Sequence, residues 1–103
     1  MIHERARDLK AWRASIGNTY KLLNKPQIDG AVKVELTFVL IKPKTVKRAY
    51  PFVRPDLDKL CRAVLDGLTD VAFKDDQQVT QLVAEKIYGE RAGVFILLTE
   101  LQQ

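Results

Sequence analysis

Apolar residues recur at two different spacings along this chain, and the switches between them mark out its elements. Ile2, Ala6, Leu9, Trp12, Ile16, Tyr20 and Leu23 fall three or four positions apart, while Arg5, Arg7, Lys10, Arg13 and Lys21 fall largely on other faces. That spacing lines one side of an amphipathic α-helix. The helix is expected to stop near Asn24-Lys25-Pro26, because proline disfavours helical backbone in the residue before it, and Asp29-Gly30 follows as a turn signal. From Ala31 to Ile41 the period becomes two. Val32, Val34, Leu36, Phe38 and Leu40 share one face, with Lys33, Glu35 and Thr37 on the other, as in a strand with one buried side.

A helical stripe returns with Leu57, Leu60, Cys61, Val64, Leu65, Leu68 and Val71, predicting a second helix from Asp56 or just beyond to about Thr69. Lys59, Arg62 and Asp66 fall off this stripe, and Cys61 on it reads as a core thiol. Val79 to Tyr88 and Gly93 to Leu101 are rich in strand formers, and the connection Gly89-Glu90-Arg91-Ala92-Gly93 suggests a hairpin. The order helix, strand, helix, strand, strand contains no repeat or linker. It predicts a single α+β domain over residues 1–103, with two helices packed on a small, mostly antiparallel sheet.

Composition narrows the class. With 47% hydrophobic and 29% charged residues among 103, the chain is neither disordered nor collagenous nor a disulfide scaffold. The longest apolar runs, Phe38 to Ile41 and Val94 to Leu98, fall far short of the roughly 20 residues of a membrane helix. The first residues include His3, Glu4, Arg5, Arg7 and Asp8, where a signal peptide would be apolar. A lone Cys61 allows no internal disulfide, and a lone His3 excludes His-rich zinc sites. The expected setting is reducing and cytoplasmic, with no membrane partner.

The net charge of +4 gains meaning from its distribution. Lys42, Lys44, Lys47, Arg48 and Arg54 occur with no acid among them, and Tyr50 and Phe52 lie between the cations. Such a loop can track a nucleic-acid backbone and offer aromatic rings for stacking or wedging between bases. It can equally be a solvated connector anchored by two aromatics.

Against this basic background stand Asp56 and Asp58, at the mouth of the second helix, and the pair Asp75-Asp76 on the segment returning from it. Carboxylates gathered from separate segments are a common way to bind a hard divalent cation, and a metal beside a cationic surface suits phosphodiester chemistry. The simpler roles are also available. Asp56 can cap the helix, Asp58 can favour its dipole, and Arg62 can form an ordinary pair with Asp58 one turn away. A helix of about thirteen residues would hold the two acidic groups some 20 Å apart unless the chain runs back or a second subunit intervenes.

Taken together, Arg54-Pro55-Asp56-Leu57-Asp58-Lys59-Leu60, Arg62-Ala63-Val64-Leu65-Asp66-Gly67-Leu68, Phe73-Lys74-Asp75-Asp76-Gln77-Gln78-Val79 and Glu85-Lys86-Ile87-Tyr88-Gly89 resemble the RusA family of Holliday junction resolvases. The resemblance is strong over the C-terminal half and extends to the N-terminal half only in the order of its elements. It implies a homodimeric, intertwined, Mg²⁺-dependent endonuclease, with Mn²⁺ as a possible substitute, that recognises four-way DNA junctions by shape and nicks them in pairs. Asp56, Asp58 and Asp76 match the metal-site aspartates. Arg62 falls where the family has a catalytically important lysine, and Lys86 matches a basic position on the following strand. With the basic loop read above, the expected DNA-contacting set is Lys42, Lys44, Lys47, Arg48, Arg54, Lys59 and Lys86.

Two departures from the family pattern bear on activity. Lys59 stands where the family usually has Asn, and Arg62 where it has Lys; a planar guanidinium is not a neutral replacement for a compact ammonium. Family chains also usually begin with a strand before the first helix, whereas this sequence enters that helix almost at Met1. An alternative is therefore a DNA-binding protein of the same fold with impaired catalysis. A third reading is a small interaction module whose aspartates only cap and turn.

Overall fold

The computed structural model describes residues 9–102. Its elements are α1 (Leu9–Leu22), β1 (Val32–Ile41), α2 (Leu57–Leu68), a 3₁₀ turn (Asp76–Gln78), β2 (Val79–Gly89) and β3 (Gly93–Glu100). The element order is the one expected, and the fold is α+β. The expected beginning of the first helix at Ile2 and Ala6 lies outside the described residues. Its end is where the sequence puts it. Leu23 and Asn24 donate to the carbonyls of Tyr20 and Lys21 at 3.0 and 3.1 Å, and Asn24 has a left-handed φ of 52°, a conformation asparagine tolerates better than most residues.

The sheet departs from the expected hairpin. Its order is β2-β1-β3, so the two last strands flank β1 and do not pair with each other. β2 runs parallel to β1 and β3 antiparallel to it, making the sheet mixed. The reason lies in β1, whose Val32, Val34, Leu36 and Phe38 are all at most 2% exposed. A strand so fully covered belongs at the centre, with apolar neighbours on both sides: Leu36 pairs with Ala84 on one and Ile96 on the other. The helix between β1 and β2 supplies the long crossover that a parallel pair requires. Gly89 pairs with Ile41 and Gly93 with Val39, so the short connection steps from one side of β1 to the other at its C-terminal end.

Both helices contribute to one core, in which Ile16, Leu60, Val64, Leu68 and Phe73 join the inward residues of β1. Each buried aliphatic or aromatic side chain of this kind is worth about 1.5 to 3 kcal/mol. The helices approach closely at glycine: a Cβ added at Gly17 would lie 2.9 Å from the Gly67 carbonyl oxygen. After α2, Ala72 and Phe73 tuck in at zero exposure, and Phe73 bridges to both Ile28 and Thr69. That plug turns the chain into β2.

Candidate metal and nucleic-acid interface

The basic loop leaves β1 at Ile41 and re-enters regular structure at α2, so the cations and the first two aspartates belong to one end of the fold. Asp56 holds the N-cap position with extended backbone, but its side chain makes no capping hydrogen bond. Its Oδ2 instead lies 3.6 Å from Lys59 Nζ, with both groups exposed. The capping role available to Asp56 from sequence is thus not taken, and its carboxylate faces solvent and one lysine.

The Asp75-Asp76 pair divides its work. Asp75 Oδ1 accepts from the Gln77 amide at 3.0 Å, and Gln78 Oε1 accepts from the amides of Lys74 and Asp75 at 3.0 and 3.1 Å, closing a capping box. Gln78 Nε2 also donates to the carbonyls of Ile28 and Gly30 at 2.8 and 3.0 Å, tying this turn to the entrance of β1. Asp75 is consumed by the turn. Asp76 is exposed and lines an open groove of about 650 Å³ together with Asp58, Arg62, Cys61, Leu65 and Leu82.

That groove runs along α2 over β2, and it brings two of the three expected metal aspartates and Arg62 onto one surface. The convergence has a limit. α2 has 12 residues, about 18 Å at 1.5 Å per residue, with Asp58 in its first turn and Asp76 beyond its far end. Among the described residues, no group of three His, Cys, Asp or Glu side chains comes together as a metal site within one chain. The donor set itself consists of carboxylate oxygens, the chemistry that suits Mg²⁺ or Mn²⁺. Cys61 adds no ligand: burial, and next the charge of Asp58, push its thiol pKa up, which keeps it protonated.

Lys86 occupies an unexpected position. In register with Phe38, it points to the helix-covered face of the sheet, and its ammonium donates to the carbonyls of Val53 and Pro55 at 2.7 and 2.9 Å. The residue expected to contact DNA is engaged in holding the segment that leads into Asp56. Arg48 is likewise anchored: its Nε donates to the Tyr88 hydroxyl at 2.8 Å, and its guanidinium lies 5.8 Å from the Phe52 ring centre. Lys42 lies 5.8 Å above the Tyr88 ring. Lys44, Lys47 and Arg54 are exposed.

Tyr88 and Gln78 were missed by sequence reasoning as organisers of this region. The signal for Tyr88 and Lys86 was present in the period-two pattern, which puts both in phase with Leu82 and Ala84 on the inward face. A lysine in that phase needs acceptors, because a buried charge without partners is costly. Gln78 carried no comparable signal, since its partners Ile28 and Gly30 lie in a distant turn.

Residues 2–99 match the family described as Endodeoxyribonuclease RusA. The chain is also 35% identical over 86 residues to the uncharacterized protein YqaN of Bacillus subtilis (strain 168), an alignment covering 72% of this chain and 61% of that protein. The chain thus spans less than two thirds of that relative's length. Among the described residues no helix is long and apolar enough to cross a membrane.

Proposed function

The chain belongs to the RusA endodeoxyribonuclease family, and from that premise we propose that it is a metal-dependent endonuclease that resolves four-way DNA junctions by paired nicks. The observation carrying this reading is the open groove along α2 that Asp58, Arg62 and Asp76 line together. Asp56, Asp58 and Asp76 would hold the cation, and a bound Mg²⁺ would supply charge neutralisation at the scissile phosphate and a more acidic water. Among the described residues of one chain no three carboxylates come together, and a homodimer, in which a second subunit adds its own aspartates, would complete the donor set.

The protein's own side chains have separable tasks. Arg62, in the groove between the aspartates, offers a planar fork of donors suited to two oxygens of one phosphate. Lys44, Lys47 and Arg54 neutralise the backbone of the arm entering the site, a contact that carries affinity without sequence information. Lys86 keeps the Val53 to Pro55 backbone in place, which fixes where Asp56 begins α2.

The second reading, junction binding with impaired cutting, is favoured by the ion pair between Lys59 and Asp56. An ammonium at 3.6 Å competes with a cation for that carboxylate. Titration of Mn²⁺ into the wild type and Asp58→Asn, followed by calorimetry, separates the two. The nuclease reading expects a binding isotherm in the wild type that weakens at least tenfold in the variant, about 1.4 kcal/mol. An isotherm absent from the wild type, with tight junction binding retained, would establish the second reading.

A further inference from the structure

Two aromatic rings stand out from the surface of the basic loop, Tyr50 at 73% and Phe52 at 77% exposed. Neither serves the core. The residue between them, Pro51, is buried, and the Phe52 amide donates back to the Tyr50 carbonyl at 2.9 Å, so the backbone turns tightly and throws both rings outward. The tip is fixed on either side. Upstream, Arg48 is bonded to Tyr88 and lies against the Phe52 ring; downstream, Lys86 holds the Val53 carbonyl. A loop ordered before binding does not lose that conformational freedom when a ligand arrives.

The surroundings select the class of ligand. No acid occurs between Lys42 and Pro55, and Lys44, Lys47 and Arg54 are exposed beside the rings. A cationic rim around aromatic faces complements a polyanion whose own rings are available for stacking. In continuous duplex each base is already stacked on both sides. A four-way junction in its open, unstacked form interrupts that stack at the branch point and exposes base faces there. The four chain steps from Phe52 to Asp56 cannot separate them by more than about 14 Å, at up to 3.6 Å per residue. A base held on the ring therefore lies close to the proposed metal ligands.

We infer that Tyr50 and Phe52 form a rigid stacking platform that engages unstacked bases at the branch point, and so discriminates branched from linear DNA. This rests on the junction-resolvase reading and adds to it the element that reads shape. The loop cations bind any DNA arm; the rings bind only where the stack is broken.

The test measures affinity for a four-way junction and for linear duplex in EDTA, where no cutting occurs, for wild type, Phe52→Ala, Tyr50→Ala, Phe52→Tyr and Lys47→Ala. A second junction carries 2-aminopurine at the branch point. Stacking contributions of this kind predict that Phe52→Ala weakens junction binding about tenfold, leaves duplex binding within about twofold, and abolishes the wild-type change in 2-aminopurine emission. Phe52→Tyr keeps both properties, and Lys47→Ala weakens both DNAs alike. If the wild type prefers the junction and the alanine variants prefer it equally, or lose both DNAs in parallel, the platform is overturned while the resolvase reading stands. A wild type with no junction preference removes both.

Discussion

The ammonium of Lys86 lies 2.9 Å from the carbonyl oxygen of Pro55, so a residue of β2 holds the backbone immediately before Asp56. With its second bond, to Val53, it connects the strand beside the groove to the end of the basic loop. Hydrogen bonds from a charged donor contribute about 1.5 to 3 kcal/mol each, less where solvent reaches them. Lys86→Met is expected to lower stability by about 1 to 3 kcal/mol in denaturant unfolding. It should reduce cutting far more than junction affinity, because two of the three ammonium donors are spent on the backbone that leads into Asp56. Equal losses in cutting and binding would assign Lys86 to DNA contact instead.

The two neighbouring aspartates of the 3₁₀ turn should behave differently. Asp75→Ala removes a capping oxygen and is expected to cost about 1 kcal/mol of stability, read as a lower denaturation midpoint. Asp76→Asn leaves the capping box intact. It should leave stability within about 0.5 kcal/mol, the range for surface changes, while abolishing metal-dependent cutting.

Lys59 and Asp56 form an exposed ion pair, so its contribution to stability is small, about 0 to 1 kcal/mol. Lys59→Asn is therefore expected to leave the melting temperature nearly unchanged while strengthening Mn²⁺ binding, because the ammonium no longer competes for the carboxylate. Calorimetry on the two proteins measures this directly, and unchanged metal affinity would exclude competition at Asp56.

Gly17 is required by the approach of α1 to α2. Alanine would ordinarily favour a helix by about 1 kcal/mol over glycine. Here its Cβ meets a backbone oxygen at 2.9 Å, and overpacking against backbone costs about 1 to 3 kcal/mol. Gly17→Ala is expected to be net destabilising in thermal unfolding, and Gly17→Val more so.

The buried Cys61 thiol gives the protein a pH response. Its folded pKa is raised by burial and by Asp58, so above the ordinary thiol value of about 8.5 the folded state keeps a proton that the unfolded state releases. Stability is then fully present below that pH and falls as pH rises beyond it. Cys61→Ala should lose this alkaline slope in unfolding experiments run from pH 7 to pH 10.

Much of the fold was legible in the chain because its inward positions are nearly all apolar and in phase. Val32 to Phe38 identified β1, and Leu60 to Leu68 identified α2, with ends within a residue or two. The sheet order was not legible from the connection Gly89 to Gly93, since a short glycine-containing link suits a hairpin as well as a step across a strand end. The strand, helix, strand succession before it carried the better signal. At the site, the three aspartates and Arg62 were visible as residue types, but what each carboxylate does depends on contacts far apart in sequence. Asp75 is held by its turn, and that turn is held by Gln78 reaching Ile28 and Gly30, a relation no local spacing encodes.

Metal-dependent cutting at a DNA branch is tested most directly by incubating purified protein with a labelled four-way junction and with matching linear duplex in Mg²⁺, Mn²⁺ or EDTA, beside Asp58→Asn. Paired nicks on the junction alone, in either metal, absent in EDTA and absent from a variant that still binds the junction, are the predicted result. Cutting by Asp58→Asn at the wild-type rate, or no cutting by the wild type in either metal, would contradict a metal-dependent junction resolvase built on these aspartates.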